Sequence, residues 1–202
     1  MQRGFTIQSK VDGLVLDGLV VEPEEGVQRT ALLQLSHGMS EYKERYLPFM
    51  EFMAEHGVVC VIHDHRGHGK SVKSEQDLGF MYGAGGAGLV EDLFLVTKWA
   101  KKEYPDLPFV LMGHSMGSYM LRKYLTIHND DLRGAIIMGT GCVPDNTTKL
   151  GINVCKFLAK IFGWHHRSKL VESLSFGGPY KKYDLSGKTL SNSWLTKDED
   201  IV

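Results

Sequence analysis

The chain has 202 residues, 43% of them hydrophobic, and a formal net charge of −1. That length can bury one sizeable core, and this apolar fraction with mixed charge describes a soluble globular protein rather than a fibrous or disordered one. With 23 Lys and Arg against 24 Asp and Glu and no long basic stretch, nothing favours nucleic acid as a partner.

Met1 to Lys10 lacks the apolar core of a signal peptide and no later run reaches membrane-span length, so a cytoplasmic chain without an integral membrane segment is expected. Lys101-Lys102 and Lys181-Lys182 read as solvated faces. Cys60, Cys142 and Cys155 suggest neither a disulfide framework nor a metal site, and no cofactor is expected. Asn146-Thr147-Thr148 matches a glycosylation acceptor but reads as a polar turn without a secretion signal.

The first thirty residues alternate apolar and polar positions around Gly13 and Gly18, predicting hairpin strands that end at Pro23. Ala31 to Ser36 then predicts a buried strand, Tyr46 to His56 a helix, and Val58 to His63 a second buried strand. Leu89 to Tyr104 carries Leu89, Leu93, Val96 and Ala100 on one helical face. A strand at Phe109 to Met112 follows, then a helix through Met116, Met120, Tyr124 and Ile127, then a strand at Ala135 to Met138. Apolar strands alternating with helices imply an α/β fold, a mostly parallel sheet covered on both faces. Sites in such sheets form at the carboxyl ends of strands, where His37, Asp64, Ser115 and Gly139-Thr140-Gly141 all fall.

From Asp145 the pattern shifts to an amphipathic helix with Ile152, Cys155, Leu158, Ile161 and Phe162, followed by Trp164 and paired histidines. We expect residues 1–144 to form the core and 145–202 to begin a cap, a surface helix being the alternative for the second segment.

Gly113-His114-Ser115-Met116-Gly117 is a G-x-S-x-G between a predicted strand and a predicted helix, the setting in which a serine is presented as a nucleophile. In a chain this rich in glycine the pattern arises by chance roughly one time in six, so its context carries the argument. His37-Gly38-Met39 follows the Ala31 strand, and the backbone amides of Met39 and Met116 are the candidate oxyanion donors for Ser115. His37, Gly38, Gly113, His114 and Gly117 support those two loops.

Asp64 to Ser71 ends in Gly-Lys-Ser but has aspartate where a phosphate loop needs glycine. His65 and His68 lack a third ligand at sensible spacing, so this segment reads as a turn held by Asp64 and Arg66 rather than a metal site. Gly83-x-Gly85-x-x-Gly88 matches the dinucleotide fingerprint, but no convincing strand precedes it, and it reads as a flexible approach to the Leu89 helix.

Taken in order, His37-Gly38-Met39-Ser40-Glu41 with Arg45-Tyr46, Asp64-His65-Arg66-Gly67-His68-Gly69-x-Ser71, and Gly113 to Gly117 resemble the lysophospholipase and monoacylglycerol-lipase-like branch of the α/β-hydrolases. The resemblance implies an acyl-enzyme on Ser115, oxyanion amides at Met39 and Met116, hydrophobic acyl esters as small-molecule substrates, and a cap beginning near Asp145. It also requires an acid and then a histidine after the serine. His128, His165 and His166 are the only histidines there, and none follows a strand with an earlier acid at a strand end. The triad acid and base are therefore expected to be absent, and the chain reads as truncated before the last core strands. The Ala135 strand then becomes a sheet edge open to association. A catalytically incomplete chain that acts by binding its complement is the alternative to a working esterase.

Overall fold

The structure, a computed structural model, describes residues 1–128 and 132–174, so Lys181-Lys182 lie outside the described residues. The chain divides into two compact units, Met1–Cys142 and Val143–Val202.

In the first unit the elements run β1 (Gln2–Gln8), β2 (Val15–Val21), β3 (Ala31–Ser36), α1 (Leu47–Glu55), β4 (Val58–His63), α2 (Gly85–Glu103), β5 (Phe109–His114), α3 (Met116–Ile127) and β6 (Leu132–Met138). They build one sheet in the order β1-β2-β4-β3-β5-β6. β1 and β2 are antiparallel, β2 runs antiparallel to β4, and β4, β3, β5 and β6 are mutually parallel.

The period of two along each strand sorts the core into two layers. Leu32, Val59, Val61, Phe109 and Leu111 face α2 and α3, packing on Leu93, Val96, Met120 and Tyr124. Leu33, Leu35, Cys60, Ile62 and Met112 face the other way, onto Met50 and Ala54 of α1. Helices thus cover both faces of a mostly parallel sheet, as the pattern predicts. Gln34, buried in the first layer, is satisfied by α2: it donates to the Leu93 carbonyl at 3.1 Å and accepts from Thr97 Oγ1 at 2.7 Å.

Gly18 lies inside β2, where a side chain would enter the ring of Phe5, itself stacked on Trp99. The hairpin turns at Gly13, which has a positive φ of 74°. Several sequence expectations need correction. α2 starts at Gly85, so the Gly83 to Gly88 segment is largely its first turn rather than a flexible approach. Gly88 is small because a Cβ there would press on Ala84 and come within 3.2 Å of the Arg66 guanidinium passing beneath it. β5 continues two residues further, to His114, and β6 begins at Leu132.

β6 closes the sheet among the described residues, with β5 as its one neighbour. Ile136, Ile137 and Met138 are each more than 40% exposed on it. In the second unit, α4 (Asp145–Phe162) precedes the short α5 (Lys169–Glu172). Asn146-Thr147-Thr148 lies in the first turn of α4 rather than in an irregular turn, because Thr148 N–H donates back to Pro144. Leu150, Phe157 and Ile161 recur at helical spacing along α4 and are exposed. Among the described residues no helix is long and apolar enough to cross a membrane, and no group of His, Cys, Asp or Glu is placed to hold a metal ion.

Candidate active site

Ser115 occupies the turn between β5 and α3 with φ 49° and ψ −115°, a conformation that costs a non-glycine residue about 1–3 kcal/mol. Three contacts hold it there. Its N–H donates to the Met138 carbonyl at 3.0 Å, and its own carbonyl accepts from the Ser118 N–H at 2.9 Å and the Ser118 hydroxyl at 2.6 Å. The flanking glycines are sterically required. A Cβ on Gly113 would strike the Gly117 carbonyl, and one on Gly117 would strike the Ser36 carbonyl.

Ser36 pairs with Gly113 in the β3–β5 register, so the two loops leave adjacent parallel strands at the same level. His37 is fully buried, and its ring is used by the backbone on both sides. Nδ1 lies 2.7 Å from the Gly38 carbonyl, and Nε2 accepts the His65 N–H at 3.0 Å, which fixes the Nδ1–H tautomer. Burial pushes its pKa down to about 4, so it is neutral near pH 7.

Because the Gly38 carbonyl and the Met39 N–H share one planar peptide, the His37 contact turns that N–H the opposite way. Met39 N–H makes no hydrogen bond among the described residues, and neither does the N–H of Met116 in the first turn of α3. Met39 itself is 50% exposed. His114 is partly exposed, with Nδ1 3.3 Å from both Glu41 Oε2 and Tyr46 Oη.

Beneath the His37 loop lies a stack of buried imidazoles. His37 and His65 have ring centroids 4.0 Å apart, His63 and His65 4.9 Å, and His37 and His68 5.4 Å. Burial pushes His63 down to about 3 and lowers His65 and His68 as well, so the stack is neutral. Its hydrogen bonds go to the backbone and Ser36: His65 Nε2 reaches the His37 carbonyl and Ser36 Oγ, both at 3.2 Å, and His68 Nδ1 reaches the Arg66 carbonyl at 3.1 Å.

The Asp64 turn is held differently from the sequence reading. Asp64 accepts from the backbone of Lys43 and Lys70 and from Lys43 Nζ at 2.7 Å, and Lys43 also meets Asp17 at 2.6 Å. The Arg66 side chain takes no part in that turn. Its buried guanidinium reaches Asp92 of α2 at 2.8 Å, Asp12 at 2.8 Å and Ser9 at 3.0 Å, tying the hairpin to the helix. Lys43 carries no signal in the sequence. Asp92 does, since it falls on the apolar face of its helix, three residues after Leu89.

No described residue hydrogen-bonds the Ser115 hydroxyl. His128 ends α3, where it stacks on Phe94 at 3.7 Å and pairs with Glu91 at 3.2 Å. The 12 residues of α3 put about 18 Å between its level and that of Ser115.

A monoglyceride lipase homolog of Monkeypox virus is 30% identical to this chain over 132 residues, 65% of this chain and 46% of that protein. A monoacylglycerol lipase of Mycolicibacterium smegmatis is 27% identical over 128 residues, covering 63% and 44%. The chain thus spans a little under half the length of these curated relatives. A carboxyl esterase from Bacillus coagulans superposes with a TM-score of 0.68 at 25% identity, covering 95% of this chain and 66% of that one. Residues 27–202 match the family described as serine aminopeptidase, S33. With that match laid over this sheet order and this strand–serine–helix turn, the chain belongs to the S33 serine aminopeptidase family of α/β-hydrolases.

Proposed function

We propose that this chain supplies the nucleophile and the oxyanion hole of an ester-cleaving serine hydrolase. Ser115 Oγ attacks the ester carbonyl carbon, the carbonyl electron pair moves onto oxygen, and the amides of Met39 and Met116 receive the resulting negative charge. Collapse breaks the bond to the leaving oxygen, which takes up the proton lost by Ser115 Oγ and departs as the alcohol; water then adds to the acyl-enzyme, one of its protons returns to Ser115 Oγ, and the carboxylic acid is released. The observation that carries this reading is the strained Ser115 backbone, held by Met138 and Ser118 on a turn whose two glycines admit no side chain.

The substrate class is a hydrophobic acyl ester of the monoacylglycerol or lysophospholipid kind. The names of the Monkeypox virus and M. smegmatis relatives support it. Incubation with 4-nitrophenyl esters of short and medium chain length is the test. The chain should release nitrophenol and gain the acyl mass on Ser115, whereas Ser115→Ala should do neither; equal release from Ser115→Ala would refute the mechanism.

A second reading is favoured by the committed histidines. The proton leaving Ser115 Oγ needs a base, yet His37, His65 and His68 bond the backbone and His128 lies at the far end of α3. In this reading the chain completes its site by associating through β6 with a complementary segment that brings acid and histidine. Ester release only after such a segment is added would select it.

A further inference from the structure

We propose that Glu41 is the positioning residue that locks the His37-Gly38-Met39 loop to the turn bearing Ser115. This rests on the ester-hydrolase reading above and assigns a task to a carboxylate outside the attack itself. Glu41 Oε2 accepts the Gly38 N–H at 2.6 Å and the Tyr46 hydroxyl at 2.8 Å, and it lies 3.3 Å from His114 Nδ1. Its other oxygen meets Arg45 Nε at 3.4 Å. One carboxylate therefore touches the loop after β3, the helical turn before α1, and the residue immediately preceding Ser115.

Backbone geometry shows what this accomplishes. Two successive peptides form the loop. In the first, the His37 carbonyl accepts from His65 Nε2 at 3.2 Å and the Gly38 N–H is taken by Glu41. In the second, the Gly38 carbonyl is held by His37 Nδ1. With the first plane pinned at both ends and the second at its oxygen, the Met39 N–H is left as the outward donor. Ser40, next in the chain, has a positive φ of 61°, so the loop is strained and would relax without a restraint. Gly38 is small for the same reason: a Cβ there would sit 2.8 Å from Glu41 Oε2 and 3.3 Å from His114 Nδ1.

The carboxylate is suited to this by its environment. Burial alone would raise its pKa, but the Gly38 N–H, the Tyr46 hydroxyl and His114 outweigh that and hold it below the ordinary glutamate value. It stays ionised near pH 7, and its hydrogen bonds are charge-assisted.

The test uses the full chain with Glu41→Ala and Glu41→Gln. Two readouts are taken: the amide resonances of Gly38, His114 and Ser115, and the saturation kinetics of Ser115 labelling by a fluorophosphonate. Glu41→Ala should shift the Gly38 amide proton upfield and move the His114 and Ser115 amides. It should also lower the maximal labelling rate about tenfold with little change in the half-saturating concentration or the melting temperature. Glu41→Gln, which keeps an acceptor oxygen for Gly38, should recover part of that rate. Wild-type labelling by Glu41→Ala, unmoved Gly38 and His114 amides, or rate and stability falling together without rescue by Gln would each overturn the proposal. If wild-type Ser115 is not labelled at all, the ester-hydrolase reading fails on its own, and the amide shifts still decide whether Glu41 couples the two loops.

Discussion

The N–H of Ser115 donates to the carbonyl of Met138 at 3.0 Å, so the strained serine turn is fastened to the last residue of β6. Gly139, next along, has a φ of 57° that a β-branched residue adopts only at a cost of about 1–2 kcal/mol. Gly139→Val should destabilise the fold by about that amount in a urea titration and also slow labelling of Ser115, because the Met138 carbonyl is displaced. Unchanged labelling in a destabilised variant would show that β6 does not hold the turn.

Glycines in this chain carry very different demands. Gly117→Ala places a methyl on the Ser36 carbonyl, backbone against backbone, and should cost about 3 kcal/mol or more. Gly13→Ala meets nothing within 4 Å and should cost only about 1 kcal/mol, from its positive φ of 74°. Equal urea midpoints for the two variants would contradict the packing of α3 on β3.

Acid should unfold the first unit. His37 is held near 4 and His63 near 3 against an ordinary 6.5, so below 6.5 the unfolded chain takes up protons that the folded chain refuses. Stability is therefore full above about pH 6.5 and lost as pH falls toward 4, His37 alone contributing a loss on the order of 3 kcal/mol. His63→Leu removes a buried imidazole of similar volume. It should leave stability at pH 8 little changed and flatten the decline between pH 6.5 and 4, as measured by urea midpoints across that range.

The buried Arg66 links Asp12, Ser9 and Asp92. Arg66→Met strands Asp92, a carboxylate already pushed up by burial, and should cost about 3–5 kcal/mol. Adding Asp92→Leu should restore most of that loss, because the uncompensated charge goes with it. A double variant no more stable than Arg66→Met would mean that the guanidinium acts through packing instead.

The strand and helix order was legible because the parallel strands are apolar throughout and each helix shows its own period. Ser115 and its two glycines were legible because a turn that tight tolerates so few residue types. The reason for Gly18 was not legible, because nothing near it in sequence shows that Phe5 of β1 lies across it. Arg66 misled for a related reason. Its partners Ser9, Asp12 and Asp92 are far from it along the chain, and no local pattern announces a long-range ion pair. The histidines were ambiguous for the same reason: His37 and His65 become buried backbone partners only once β3 and β4 lie side by side.

The most direct measurement is stoichiometric labelling of the full chain with a fluorophosphonate, followed by peptide mass analysis. One phosphonyl group per chain is expected, located on Ser115 and abolished by Ser115→Ala. Labelling at another residue, or labelling that persists in Ser115→Ala, would contradict it.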